Sequence, residues 1–246
     1  MFPLQHGQLI HFIFEAAAIS IGFRWYLVQR TRDMNLHGKE QHRFWLLVAC
    51  LLGAAIGNKT LFWIEYPQLF TTAGHGVVLF LGGQSIVGGL LGGLIGVEIA
   101  KYLSSYRYST GDYFVFPLLL GIFIGRIGCF LSGLSDGTFG TVTSMPWGID
   151  FGDGVSRHPT QLYEMGFIVA LALLLSHYRK QLALQTGLLF KVMLSAYLAW
   201  RLLIDFLKPV PYVYPGGLSG IQLVALIALV IYLPLTWRQA RKLKHA

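Results

Sequence analysis

Long apolar stretches separated by short polar ones run the length of the chain, and their length classifies them better than any period does. A bilayer core about 30 Å thick takes roughly 20 apolar residues in a helix. Seven stretches have that character: residues 8–29, 44–64, 76–100, 113–133, 160–176, 187–207 and 219–236. The pattern predicts an all-α, polytopic integral membrane helix bundle with seven transmembrane helices. No linker, low-complexity tract or fixed period divides them, so residues 1–246 are expected to form a single membrane-embedded domain. The first stretch has no basic segment before it and no small-residue cleavage site after it, and reads as a retained helix, not a signal peptide.

Composition sharpens this picture. Charged residues make up 12% and hydrophobic ones 54%; the charged share is about half that of an ordinary soluble domain, too little to cover a surface facing water. A soluble enzyme and a disordered chain are both excluded. The net charge of +8 would suit nucleic acid if the basic residues formed a stripe, but they fall in short clusters between apolar runs, so no nucleic-acid partner is expected. Alternate loops separate them. Arg30, Arg32, Lys39, Arg43, Lys101, Arg107, Arg179, Lys180, Arg238, Arg241, Lys242 and Lys244 fall on one side, and only Arg157 and Lys208 on the other. By the positive-inside rule the N-terminus is outside and the C-terminus cytoplasmic.

Glycine is concentrated in the second to fourth stretches. Gly88, Gly92 and Gly96, with Gly89 and Gly93, repeat a small residue every fourth position, which allows helix backbones to approach closely or marks a break lining a cavity. Cys50 and Cys129 lie in apolar stretches without ligand spacing, so neither a disulfide, a metal site nor a cofactor is expected.

Candidate chemistry lies among ionisable groups that hydrocarbon would reject: Glu15, Lys59, Arg126, Glu164, Arg201 and Asp205. Arg24, Glu98 and Lys191 sit near span ends, where they can snorkel, and Lys59 is read as structural. Arg126 lies between Gly125 and Gly128, with room beside it, and its planar fork suits a phosphate; the alternative is an ion pair with Asp136 or Glu164. Arg201, Asp205 and Lys208 follow at i, i+4 and i+7, as a salt-bridge ladder or the wall of a polar cavity. In Arg157-His158-Pro159-Thr160-Gln161-Leu162-Tyr163-Glu164, Pro159 suits a first helical turn, Arg157, Gln161 and Glu164 are expected on one face, and His158 is a cap, an interfacial group or a base. His11 and Glu15 stand one turn apart. The other histidines, His6, His37, His42, His75, His177 and His245, read as solvated.

These segments carry a resemblance. Gly125-Arg126-Ile127-Gly128-Cys129-Phe130, the Arg157-to-Glu164 run, Thr186-Gly187-Leu188-Leu189-Phe190 with Arg201, Asp205 and Phe206, and Ser219-Gly220-Ile221-Gln222 resemble, in this order, the prolipoprotein diacylglyceryl transferase family. The resemblance implies an enzyme of the bacterial cytoplasmic (inner) membrane. It would transfer the diacylglyceryl group of phosphatidylglycerol to the lipobox cysteine of secreted prolipoprotein precursors and release glycerol 1-phosphate. Arg126 resembles the family arginine that binds the head group, and Arg201 the second essential arginine. Gly125, Gly128, Ser132, Asp136, Gln161 and Tyr163 are the expected substrate-binding companions.

The chain departs from the family at two places. A His-Gly-Gly of well-known members reads Val87-Gly88-Gly89 here, and Asn-Phe-x-Asn-Gly-Glu reads Cys129-Phe130-Leu131-Ser132-Gly133-Leu134. The base must therefore lie elsewhere, or the thiol ionises unaided. Glu15, His158 and Glu164 are the candidates, Glu15 first because a carboxylate shielded from water is a better proton acceptor; Asp136 is a substitute for the lost carboxylate. A relative with a different acceptor, or a non-catalytic scaffold binding anionic phospholipid, would use Arg126 as well, and the scaffold would need no base.

Overall fold

The computed structural model describes residues 7–31, 40–70 and 83–245. Arg32, Lys39, His6, His37, His75 and the first part of the predicted third stretch lie outside the described residues. Long helices form at α1 (Gly7–Thr31), α2 (Glu40–Glu65), α3 (Ile86–Leu103), α4 (Val115–Ser132), α5 (Thr160–His177), α6 (Leu188–Ile204) and α7 (Gly220–Arg241). The strands among the described residues are two residues each: β1 (Ile149–Asp150) pairs antiparallel with β2 (Ser156–Arg157), with Ile149 opposite Arg157.

Among the described residues, five segments are long and apolar enough to cross a membrane: His42–Glu65, Ile86–Leu103, Gly111–Asp136, Thr160–His177 and Gly220–Arg241. Of the two helices outside this set, α1 carries His11, Glu15 and Arg24, and α6 has 17 residues including Lys191 and Arg201. Large apolar side chains face outward on most of these helices, including Phe12 and Ile19 on α1, Ile56 on α2, Leu173 on α5 and Val230 on α7. Water would reject such a surface and lipid accepts it. The chain is a multi-pass membrane protein built of helices.

In the described part of the third stretch, α3 begins at Ile86: Gly83 takes φ +59° and Ser85 sits in extended backbone as the N-cap, its hydroxyl accepting from the Gly88 N–H.

Two compact units make up the fold. The first comprises Met1–Asp33, Ser109–Pro209 and Ile231–Ala246; the second comprises Met34–Tyr108 and Val210–Val230. In the first, α1 lies along α4. Ser132 Oγ, fully buried, donates to the Gly7 carbonyl at 2.7 Å, and the place a side chain at Gly128 would take is filled by Phe14. Ile168, Leu171 and Leu175 of α5 and Leu188, Met193, Leu194 and Leu198 of α6 are buried and supply much of the apolar core. Asp112 caps α6 from far along the chain, accepting from the Gly187 N–H at 2.6 Å and the Phe190 N–H at 2.9 Å.

In the second unit α2 and α3 touch backbone to backbone. A Cβ built on Gly92 would strike the Gly53 carbonyl, one on Gly88 the Gly57 carbonyl, and one on Gly96 the Ala49 carbonyl. The glycine repeat is thus a packing seam. Val87, which the resemblance matches to a histidine, is fully buried in α3.

Candidate active site

Three helices of the first unit bring buried charges together. Arg126 on α4 sets its Nε 2.9 Å from Glu164 Oε2 on α5, an ion pair whose angle lies outside hydrogen-bond geometry. Tyr197 on α6 donates its hydroxyl to Glu164 Oε1 at 2.7 Å. One turn on, Arg201 Nη2 donates to both carboxylate oxygens of Asp205, at 2.8 and 3.2 Å. Lys208 Nζ stands 3.7 Å from the same carboxylate. The ion pair between Arg126 and Glu164, the less favoured reading of the sequence, is present.

The ladder at the end of α6 is not the continuous helical face expected from i, i+4, i+7 spacing. The α-helix stops at Ile204, Asp205–Leu207 tightens into a 3-10 turn, and Lys208 is extended at φ −108°, ψ 149°. Pro209 explains the stop, since the residue before a proline is pushed out of the helical region. The ion pairs survive because the tighter turn still leaves Asp205 between the two cations.

Three cations, Arg126, Arg201 and Lys208, here share two anions, Glu164 and Asp205, and the fields of all three cations reach Glu164. Among these five groups one positive charge is in surplus, in a place water hardly enters. Three further polar atoms are buried without a hydrogen-bond partner among the described residues: Arg201 Nε, Trp200 Nε1 and Gln161 Oε1. Buried polar atoms are normally satisfied; Arg201 Nε, a donor, and Gln161 Oε1, an acceptor, beside this charge suit an anionic ligand that both accepts and donates hydrogen bonds. Lys208, just beyond the sixth apolar stretch with its side chain 14% exposed, feels the crowding: burial, and then Arg201 and Arg126, push its ammonium down to about 8.

A second cluster adjoins the first through Arg126. Its Nη1 donates to Cys129 Sγ at 3.8 Å, and the sulfur lies 3.9 Å from His11 Nδ1 on α1. That nitrogen is 2.8 Å from Asp136 Oδ1 in the 3-10 turn Gly133–Asp136, and Asp136 also accepts from the Thr138 hydroxyl. Glu15 Oε2 stands 3.9 Å from the opposite ring nitrogen, Nε2. His11, Cys129 and Asp136 place ligand atoms within 4.8 Å of one another, a spacing a metal ion could bridge. A guanidinium 3.8 Å from the sulfur opposes a second dense positive charge there, and the imidazole and carboxylate already satisfy each other, so the geometry is that of a hydrogen-bonded cluster.

The remaining sequence candidates take other places. Arg157 is not on the face of Gln161 and Glu164. It lies in β2, before the helix, and its guanidinium donates twice to Asp153 at 2.7 Å while covering the Phe139 ring. Pro159 is the N-cap, one position earlier than expected. His158 Nδ1 is 3.2 Å from the Tyr163 hydroxyl, which accepts from Trp147 Nε1 at 2.8 Å. These contacts engage His158 and Tyr163 with each other, and the ion pairs of the buried charge cluster include neither. Gln161 is buried next to it, its Nε2 donating to Thr138 Oγ1 at 3.3 Å. Gly125 faces open space, as expected of a glycine that leaves room for a ligand, but the room beside Gly128 is taken by Phe14. Ser132, expected at the substrate, spends its hydroxyl on the carbonyls of Gly7 and Gly128.

Sequence reasoning missed Tyr197, Thr138 and the participation of His11 and Cys129. Tyr197 was within reach of it, lying one turn before Arg201 on the same face. Thr138 and the contact between His11 and Asp136 join segments far apart along the chain, and no local spacing announces them.

A family model described as prolipoprotein diacylglyceryl transferase matches residues 11–238. Curated phosphatidylglycerol–prolipoprotein diacylglyceryl transferases are similar over most of the chain. That of Bordetella parapertussis is 30% identical over 208 residues, covering 81% of this chain and 76% of that protein. The Campylobacter jejuni protein is 28% identical over 216 residues, covering 82% and 76%, and the Wolbachia pipientis protein is 28% identical over 239 residues, covering 89% and 88%.

Proposed function

The chain belongs to the prolipoprotein diacylglyceryl transferase family, and from that premise we propose how its residues carry out the reaction. It is a transferase that moves a diacylglyceryl group from phosphatidylglycerol to prolipoprotein. In our reading the acceptor is the lipobox cysteine thiol of a secreted precursor, glycerol 1-phosphate is the leaving group, and the enzyme works at the bacterial inner membrane. The transferase domain runs through residues 1–246, with seven spans, the N-terminus outside and the C-terminus in the cytoplasm. The family match across both units and the sorting of basic residues support this arrangement.

The surplus charge around Arg126 and Arg201 carries the mechanistic reading. A thiolate attacking the glyceryl carbon leaves an electron pair on the departing phosphate. Guanidiniums already held by Glu164 and Asp205 need no reorganisation to meet that charge, so they stabilise the transition state, in which the singly charged phosphodiester gains further negative charge, more than the ground state. Glu164 and Tyr197 act as positioning residues for Arg126, and Asp205 for Arg201. Gly125 leaves the approach open and Gln161 Oε1 accepts from the glycerol head group. Asp136 acts through His11. Tyr163 and His158 shape the loop at the start of α5, while Gly128 and Ser132 serve the pairing of α1 and α4.

The test is transfer with purified protein in phosphatidylglycerol nanodiscs and a lipobox peptide, read by mass spectrometry. A peptide gaining one diacylglyceryl group, dependent on Arg126 and Arg201, is the expected result. Absence of that product with a folded protein would overturn the reading.

A further inference from the structure

With the family's histidine position occupied by Val87, the proton of the acceptor thiol needs another destination, and the cluster on α1 and α4 supplies one. We infer that His11, held by Asp136, is the base that takes this proton; the inference rests on the transferase reading above.

Geometry separates the two ring nitrogens. Nδ1 is committed, 2.8 Å from Asp136 Oδ1, and that carboxylate, its side chain 5% exposed, is itself anchored by Thr138. A carboxylate on Nδ1 selects the tautomer that leaves Nε2 with a free lone pair, and it stabilises the imidazolium formed when Nε2 takes up a proton. Nε2 remains available: Glu15 Oε2 is 3.9 Å away, beyond hydrogen-bond range. The imidazole side chain is 36% exposed, so an incoming peptide can reach it. It is also close to the phosphate-binding residues, through contacts of 3.9 Å to Cys129 and from there 3.8 Å to Arg126 Nη1.

The charged and titratable groups facing the ring are thus Asp136 from the turn, Cys129 with Arg126 behind it from α4, and Glu15 from its own helix. Glu15 meets the ring only at 3.9 Å, whereas among the described residues His11 is oriented by Asp136 on Nδ1 and open on Nε2. Cys129 is turned toward Nδ1, the occupied nitrogen, and so does not compete for the proton acceptor.

The step balances without a further reactant. The S–H bond of the acceptor breaks, with the proton passing to His11 Nε2. The sulfur electron pair forms the bond to the glyceryl carbon, the bond from that carbon to the phosphate oxygen breaks, and its electron pair leaves with glycerol phosphate beside the guanidiniums. His11 then loses its proton to water at its exposed edge.

The experiment compares two acceptor peptides, identical except that one carries cysteine and the other selenocysteine, whose selenol is already ionised at neutral pH and needs no base. In nanodiscs, His11→Gln is expected to lower kcat for the thiol peptide by about 100-fold or more, the scale of a lost general base, while staying within about fivefold of wild type on the selenol peptide. Asp136→Asn, acting only through His11, is expected to show a smaller loss, about tenfold, with the same split between acceptors. Equal losses on both peptides, or no loss, would overturn the assignment. So would a thiol-specific loss found in Glu15→Gln and absent from His11→Gln. If His11→Gln does not fold, Asp136→Asn decides: the split supports His11 and its absence rejects it. Wild-type protein that lipidates neither peptide would defeat the transferase reading itself, and this one with it.

Discussion

A guanidinium shut away from water needs a counter-charge, and Arg126 has Glu164, itself fully buried and held by Tyr197. Removing either partner leaves a bare charge in place, which costs about 3–5 kcal/mol in comparable buried pairs. Substitution at Arg126 that keeps the charge is therefore the informative one. Arg126→Lys is expected to insert normally yet lose about 100-fold in kcat, because a point charge cannot hold Glu164 and orient a phosphate at once; near-normal turnover in the nanodisc assay would show that the fork is dispensable. Lys208 gives the site a pH dependence. Its ammonium is held down to about 8 by burial and by Arg201 and Arg126, so it is charged below that value and neutral above. If it helps to hold the anionic head group, KM for phosphatidylglycerol should rise as pH passes through about 8, and Lys208→Arg, charged throughout, should flatten the rise. Both are read from KM measured between about pH 6 and pH 10.

At the scale of elements, two different devices hold the helices. The seam between α2 and α3 has no room for side chains at Gly53, Gly57, Gly88, Gly92 or Gly96, because carbonyl groups of the facing helix occupy the place. Gly92→Val should lower the thermal unfolding midpoint, by the equivalent of about 1–3 kcal/mol or more for an overpacked contact. Gly166 in α5 is the control: nothing lies within 4 Å of its would-be Cβ, so Gly166→Ala should hold or raise the midpoint through helix propensity alone. The start of α6 depends instead on charge. Asp112 satisfies two amide groups at the positive end of that helix, and Asp112→Ala is expected to cost about 1 kcal/mol in the same melt, as lost caps do. Since α6 carries both Tyr197 and Arg201, a frayed start should also loosen the site.

For the whole molecule, orientation decides which compartment the chemistry faces. In the proposed topology, which rests on the sorting of basic residues, the loop holding Lys101 and Arg107 is cytoplasmic and the hairpin holding Asp153 and Arg157 is outside. A cysteine introduced at Arg107 should be protected from an impermeant maleimide in intact cells and react after lysis, and one at Asp153 should react in both. The reverse pattern would invert the topology and put the acceptor site on the wrong side for a secreted substrate.

Much of this is written in one dimension. Apolar stretches, basic loops, the glycine repeat and the order of the Gly-Arg and His-Pro segments are local or additive properties, so class, membrane setting and family could be read from the chain, and Arg126 and Arg201 stood out because hydrocarbon does not tolerate an idle charge. Partnership is not local. That Glu164 serves Arg126, that Arg157 turns away to Asp153, that Phe14 fills the room beside Gly128, and that His11 meets Asp136 each depend on which helices pack together and how far each is rotated. A one-residue change of phase turns a helix side chain through about 100°, too fine for composition to specify and enough to exchange a base for a structural contact. Burial then decides the rest, because a charge withdrawn from water must take whichever partner the packing has set beside it.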